Sequence, residues 1–117
     1  MESGVVTMML DTLKKLSGEV NRKIEADEKV RDVVASKDRT ILLDLKDDKC
    51  YVLSVKNGAV EEPYEGTLDE PTLKVMTDVK TIQKLIDGKM NPLMAYAMKK
   101  IKVEGPLDDV MILKDMF

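Results

Sequence analysis

The 117-residue chain contains no histidine and no tryptophan, and it has one cysteine and one phenylalanine. Each shortage removes a class of chemistry. A serine or cysteine nucleophile normally takes its activation from a neighbouring histidine, and none is present. The usual zinc ligand sets cannot be assembled from Cys50 alone, so no metal or other cofactor is expected. A single cysteine also forbids an intramolecular disulfide. At the head of an apolar stretch, Cys50 reads as a core residue. Neither common glycine-rich phosphate loop occurs. No apolar run approaches the length of a membrane span, so no stable membrane insertion is expected. The N-terminus lacks a basic segment followed by a continuous apolar run, and the last residues, Asp115-Met116-Phe117, are not a peroxisomal Ser-Lys-Leu-type ending. The expected location is the cytoplasm. These shortages together point away from an enzyme.

Charge narrows the partners further. Nineteen basic residues face 22 acidic ones, for a net charge of −3, and both signs are spread along the chain. Phosphate binding needs a net basic footprint, so no nucleic-acid partner is expected. What the chain does have is 44% hydrophobic and 35% charged residues, the balance of a folded protein. Its length is that of one domain, residues 1–117, with one core. Methionine is abundant, with nine against three tyrosines and one phenylalanine. Thioether side chains are flexible and polarisable and suit adaptable apolar surfaces. Met90, Met94 and Met98 recur every four residues.

Apolar residues at Val6, Met9, Leu10, Leu13, Leu16, Val20 and Ile24 follow the steps of one helix face. Ser17-Gly18 is a place where that helix breaks or bends. Val30, Val33 and Val34 mark a second helix, with Asp27 and Glu28 at its positive end. The period then changes to two. Ile41, Leu43 and Leu45 alternate with polar residues, as do Tyr51, Leu53 and Val55. Asp47-Asp48-Lys49 is a solvated turn between them. Asn57-Gly58 is a strong hairpin signal, because both residues tolerate positive φ. A short strand over 59–62 returns to Pro63, and 72–76 forms a further strand. Asp78 reads as an N-cap, Val79, Ile82, Leu85 and Ile86 as a helical stripe, and Gly88 as its left-handed terminator. Asn91-Pro92 opens another helix. Ile101 and Val103 alternate with Lys100 and Lys102 in a late strand. After Gly105-Pro106, residues Leu107, Val110, Met111 and Leu113 suggest a closing helix. This is an α+β plan: an antiparallel meander with one later strand added after a helical crossover.

The segment 93–98 is almost wholly apolar: Leu93, Met94, Ala95, Tyr96, Ala97, Met98. A helix apolar all round must be buried on several sides. In a small domain it either belongs to an ordinary core or walls an apolar pocket. The run Leu85-Ile86-Asp87-Gly88-Lys89-Met90-Asn91-Pro92, then Ala95, then Lys100-Ile101-Lys102-Val103-Glu104-Gly105, resembles the sterol-carrier-protein (SCP-2-like) lipid-transfer domain family. That family has a helix ending in Gly-Lys, a proline opening the next helix, an alanine inside it, a Lys-hydrophobic-Lys-hydrophobic strand and a glycine. The likeness extends over roughly residues 5–116 and is most specific from Thr77 to Gly105. Two departures stand out. Lys99 occupies a place where the family often has glycine, and Leu, Met and Tyr replace many of its aromatics.

The resemblance implies a five-stranded, mostly antiparallel sheet covered on one face by about five helices, with an apolar tunnel between the layers. It implies non-covalent binding and transfer of a lipid or fatty-acyl small molecule. The expected pocket is walled by Met90, Leu93, Met94, Ala97 and Met98, by Ile101 and Val103, and by Leu107 and Met111. Leu10 and Leu13 of the first helix close the other side. The geometric basis is that Met90, Met94 and Met98 would stack along one helix face. The rival class is an interaction or assembly module on the same fold, a homodimer for instance, or an accessory domain that presents lipid to an enzyme.

Overall fold

A computed structural model describes residues 2–106, 108 and 109. Two helices come first, α1 over Glu2–Ala26 and α2 over Glu28–Ala35. In α1 the residues Met9, Leu13, Val20 and Ile24 are buried, as their spacing demands. The expected break at Ser17-Gly18 does not occur. The Ser17 hydroxyl donates to the Leu13 carbonyl at 3.0 Å, so it is satisfied within its own helix. Asp27 separates the two helices and caps α2, accepting from the amides of Lys29 and Val30.

Strands β1 (Arg39–Leu45) and β2 (Cys50–Lys56) pair antiparallel, with Ile41 opposite Leu53 and Leu43 opposite Tyr51. The Asn57-Gly58 turn behaves as its chemistry requires, with φ of 54° and 79°. It returns the chain into β3 (Ala59–Val60), and β4 (Tyr64–Glu65) pairs with β2 as well. Strand β5 (Leu73–Thr77) does not extend this meander. It lies on the other side of β1 and parallel to it, with Ile41 beside Leu73 and Leu43 beside Val75. The apolar sequence of β1 suits this central place, since the strand is buried on both faces. Strand β6 (Lys102–Glu104) pairs antiparallel with β5 and completes the order β3-β2-β1-β5-β6. Among the described residues the sheet thus has six strands rather than five: the expected return strand over 59–62 is shortened to β3, and a further two-residue strand, β4, follows Pro63.

Helix α3 spans Val79–Ile86 and α4 spans Pro92–Ala97, both between β5 and β6. Asp78 caps α3 by accepting from the Thr81 amide at 2.7 Å, and the hydrogen bonds from Thr81 hold its carboxyl below the usual value. Asp47 accepts from the Val79 amide at 3.0 Å and Asp48 accepts from the Tyr51 hydroxyl at 3.0 Å. The turn carboxylates read from sequence as merely solvated therefore pin α3 and β2. Among the described residues there are four helices. The expected closing helix falls largely outside them, although Asp108 and Asp109 are helical.

Asp109 carries a buried ion pair. Asp109 is fully buried and accepts from Arg39 Nε at 2.7 Å and Lys37 Nζ at 2.9 Å. Burial alone would raise the Asp109 carboxyl. The hydrogen bonds and charges of Lys37 and Arg39 outweigh it and hold the group below its ordinary value. Gly105 allows a second close approach. With φ at 146°, a Cβ placed there would lie 2.5 Å from the Thr72 carbonyl oxygen and 2.6 Å from Leu73 Cδ2.

Two substitutions test these ties. Gly105→Ala should destabilise the protein by about 2 kcal/mol or more, since it adds both backbone strain and a contact with backbone that cannot move aside. Asp109→Asn should cost about 3–5 kcal/mol in urea unfolding at neutral pH, because Arg39, 5% exposed, is left without its counter-charge. The Asp109 carboxyl is lower in the folded state, so its contribution is complete above the unfolded value, about 3.9, and is lost as pH falls through the folded one. The gap between wild type and Asp109→Asn should therefore close in strong acid. A gap that is independent of pH would remove the ion pair as its cause.

Candidate functional site: an apolar cavity beneath the first helix

The facing surfaces of α1, α3 and the sheet do not close on each other everywhere. Between them lies a cavity of about 90 Å³. Helix α1 supplies Leu13, Leu16, Ser17 and Val20 to its wall. The sheet supplies Ile41 and Leu43 from β1, Leu53 from β2, Val60 from β3 and Val75 from β5. Ile82 and Leu85 of α3, with Pro92 and Ile101, complete it. The strand register is what gathers these residues. Side chains alternate across a strand, so pairing Ile41 with Leu53 and Leu43 with Val75 puts all four on the face that α1 covers. Among the described lining residues Ser17 carries the one side-chain polar group, and its hydroxyl is already committed to Leu13. Such a space suits an apolar guest, since a polar one would be desolvated without new partners.

A groove of about 480 Å³ adjoins the cavity where α1 passes the α3–α4 corner. Leu16, Val20, Leu85 and Pro92 belong to both. The groove differs from the cavity in having polar groups at its rim: Glu19 and Lys23 on α1, Lys89 and Asn91 on the corner. The cavity by itself is smaller than the roughly 300–1,000 Å³ typical of small-molecule sites, and the groove brings the combined space into that range.

The corner is built by local sequence chemistry. Helix α3 ends with Gly88 at φ 75°, the Gly88 amide donating to Leu85 and the Lys89 amide to Lys84. Asn91 then caps α4, accepting from the amides of Leu93 and Met94, and Pro92 occupies the first turn. Helix α4 ends in the same motif as α3: the Lys99 amide donates to Tyr96 and the Lys100 amide to Ala95. The residue in the left-handed position is here Lys99, at φ 61°.

Acid–base chemistry is poorly supplied. Burial, with nearby Asp44, pushes the half-buried Cys50 thiol up. Burial and the hydrogen bond to Asp48 push the Tyr51 phenol far above its usual value. Both shifts disfavour the nucleophilic anion. Among the described residues, no group of three or more His, Cys, Asp or Glu is arranged to hold a metal ion. Among them, too, no helix is long and apolar enough to cross a membrane.

Of the residues expected in a pocket, Leu13 and Ile101 line the cavity and Met90 lines the groove. Leu10 and Val103 are half-buried and pack against the same core. Leu107 and Met111 lie outside the described residues. The α4 residues are placed differently: Leu93, Met94 and Met98 are 51%, 60% and 59% exposed, and Ala97 is exposed as well. The helix buries Ala95 instead, at 0% exposure. The expected methionine stack needs one helix through all three, but Met90 precedes the Asn91 cap and Met98 is the C-terminal cap residue. Ser17 was missed as a wall residue. The signal was a small side chain four residues after Leu13 and three before Val20, on the buried face of α1.

Comparison with known proteins gives these features a family. The profile of the SCP-2 sterol transfer family matches residues 10–117. No curated protein matches the chain by sequence. Among solved structures, sterol carrier protein domain 2 of Helicoverpa armigera is 21% identical, with a TM-score of 0.66 over 90% of this chain and 84% of that one. A ubiquinone synthesis protein, UbiJ-SCP2, is 11% identical, with a TM-score of 0.67 over 94% of this chain and 88% of that one. A stereoselective inverting sec-alkylsulfatase from Pseudomonas sp. is 16% identical, with a TM-score of 0.62 over 74% of this chain. The match spans 14% of the sulfatase. The chain belongs to the SCP-2 sterol transfer family.

The left-handed Lys99 stands where a glycine would be unstrained. A side chain there costs about 1–2 kcal/mol, of which glycine's greater unfolded-state entropy returns part. Lys99→Gly should therefore stabilise the protein by about 0.5–1 kcal/mol in denaturant unfolding. Destabilisation would mean that the lysine side chain makes contacts that outweigh its backbone strain.

Proposed function

We propose that the protein is a non-enzymatic carrier that binds and transfers a lipid or fatty-acyl molecule in the cytoplasm. The observation that carries this reading is the apolar cavity opening beside a polar-rimmed groove. The apolar chain of the ligand packs against Leu13, Ser17, Leu53, Val75 and Ile101, and its polar end lies in the groove near Lys23, Lys89 and Met90. The driving force is desolvation. Burying a few hundred Å² of acyl chain at roughly 25 cal/mol per Å² yields several kcal/mol before the cost of association. The cavity as it stands holds part of a chain, so a longer guest requires α1 to draw back from the α3–α4 corner. Membership of a sterol transfer family supports the lipid-binding reading. Sterol carrier proteins among the structural neighbours support it as well.

A second reading is favoured by two of the neighbours, one a ubiquinone synthesis protein and one a sulfatase. In it the domain, alone or as a homodimer, holds a lipid substrate for an enzyme. Both readings place the ligand in the same cavity.

Native mass spectrometry of freshly purified protein should show a co-purified lipid, and a fluorescent fatty acid should bind saturably and be displaced by long acyl chains. Ser17→Leu projects a larger side chain into the cavity without removing a hydrogen-bond partner from another element. It should weaken acyl binding by about tenfold or more while changing stability by less than about 1.5 kcal/mol. Unchanged affinity together with a loss of about 1–3 kcal/mol would mean that the space is ordinary core, and the carrier reading would fall.

A further inference from the structure

The exposed residues of α4 form an apolar patch of their own. Leu93, Met94, Tyr96 and Met98 are each at least half exposed, on a helix and its cap that turn Ala95 and Pro92 inward. Along the chain around them, basic residues predominate. From Asp87 to Lys102 the chain carries Lys89, Lys99, Lys100 and Lys102 against Asp87 alone, and all four lysines are exposed. This local excess stands out in a chain with a net charge of −3. Glu104, just beyond, lies 4.0 Å from Lys102.

Backbone geometry adds an independent observation. The two helices of the corner end in the same hydrogen-bonded motif, one with Gly88 in the left-handed position and the other with Lys99. A lysine there is strained where glycine would not be, and strain of this kind concentrates where a side chain has a use. Its ammonium follows directly on the apolar Met98.

We propose that the α4 corner, residues 89–102, is a docking surface for an anionic lipid bilayer. Leu93, Met94 and Met98 enter the boundary between headgroups and acyl chains. Tyr96 sits at headgroup level, where its ring and hydroxyl are both accommodated. Lys89, Lys99, Lys100 and Lys102 meet the lipid phosphates. A patch of this size holds the protein peripherally and reversibly. Met90, Asn91 and Pro92 belong to the corner and also to the groove, so docking places the groove at the membrane. The surface does not depend on what occupies the cavity.

The absence of tryptophan supplies a clean reporter. Tyr96→Trp places an indole in the patch, and Tyr64→Trp places one on β4, at the opposite edge of the sheet from β6 and 49% exposed in the parent. On vesicles of phosphatidylcholine mixed with phosphatidylglycerol, Tyr96→Trp emission should shift to the blue and return on addition of salt. Tyr64→Trp emission should not move, and neither should shift on phosphatidylcholine alone. Co-sedimentation of the tryptophan-free protein gives the energetics: Lys99→Gly, Lys100→Gln and Lys102→Gln should each lower partitioning about fivefold. Met94→Ser should lower it without altering its salt dependence. Lys99→Gly is diagnostic, because it should weaken vesicle binding while leaving the fold at least as stable. Three results would overturn the proposal: binding indifferent to the lysines, an equal shift at position 64, or a blue shift at position 96 that follows protein concentration without vesicles and so reports a second copy. Fatty-acid titration in the same buffers separates a failure here from a failure of the carrier reading.

Discussion

The register of β1 between its two neighbours is the constraint on which the rest depends. Ile41 and Leu43 face α1 only because β2 pairs with one edge of β1 in one register and β5 with the other edge in another. A slip of one residue on either side would turn Leu53 or Val75 to the opposite face and put Ser54, Lys74 or Met76 beneath the helix. The apolar layer, the cavity and the depth at which α1 rides all follow from that alignment. The turn carboxylates reinforce it at one end, where Asp48 holds Tyr51 and Asp47 holds the start of α3. Arg39 and Asp109 reinforce it at the other.

One side chain in the layer that covers the cavity is small. Leu13, Ser17 and Val20 share the buried face of α1, and a larger residue at position 17 would bring helix and sheet closer to contact. Close packing is the usual state of a protein interior, so a space lined by branched aliphatic residues on both sides is a departure from the norm. It forgoes dispersion contacts that a filled core would make. The family to which the chain belongs gives that departure its context, and the groove at the α3–α4 corner gives it an outlet.

What could be read in advance divides along physical lines. The hairpin at Asn57-Gly58, the caps at Asp78 and Asn91 and the terminator at Gly88 were legible because each is a local contest between a few backbone states, decided by one or two residues. The inward direction of Ile101 was legible from alternation with lysines. The parallel pairing of β5 with β1 was not, because alternation specifies a face and says nothing of which edge a strand joins. The placement of α4 was also hidden. A helix apolar on every side carries no periodic signal to orient it, and it was Ala95, the least conspicuous member, that turned inward. Ser17 and Gly18 suggested a break because small and polar residues weaken a helix. Packing against the sheet overrode that local preference, as tertiary context commonly does.

The Arg39–Asp109 pair also has a meaning in time. Its members are 70 residues apart in sequence. During synthesis Arg39 leaves the ribosome with β1 while its counter-ion has yet to be made. The Val34 and Lys37 carbonyls can accept from the guanidinium at once, but neither compensates its charge. The contact that compensates that charge therefore joins distant parts of the chain, and the start of β1 gains its full stability only when residues 39 and 109 have met.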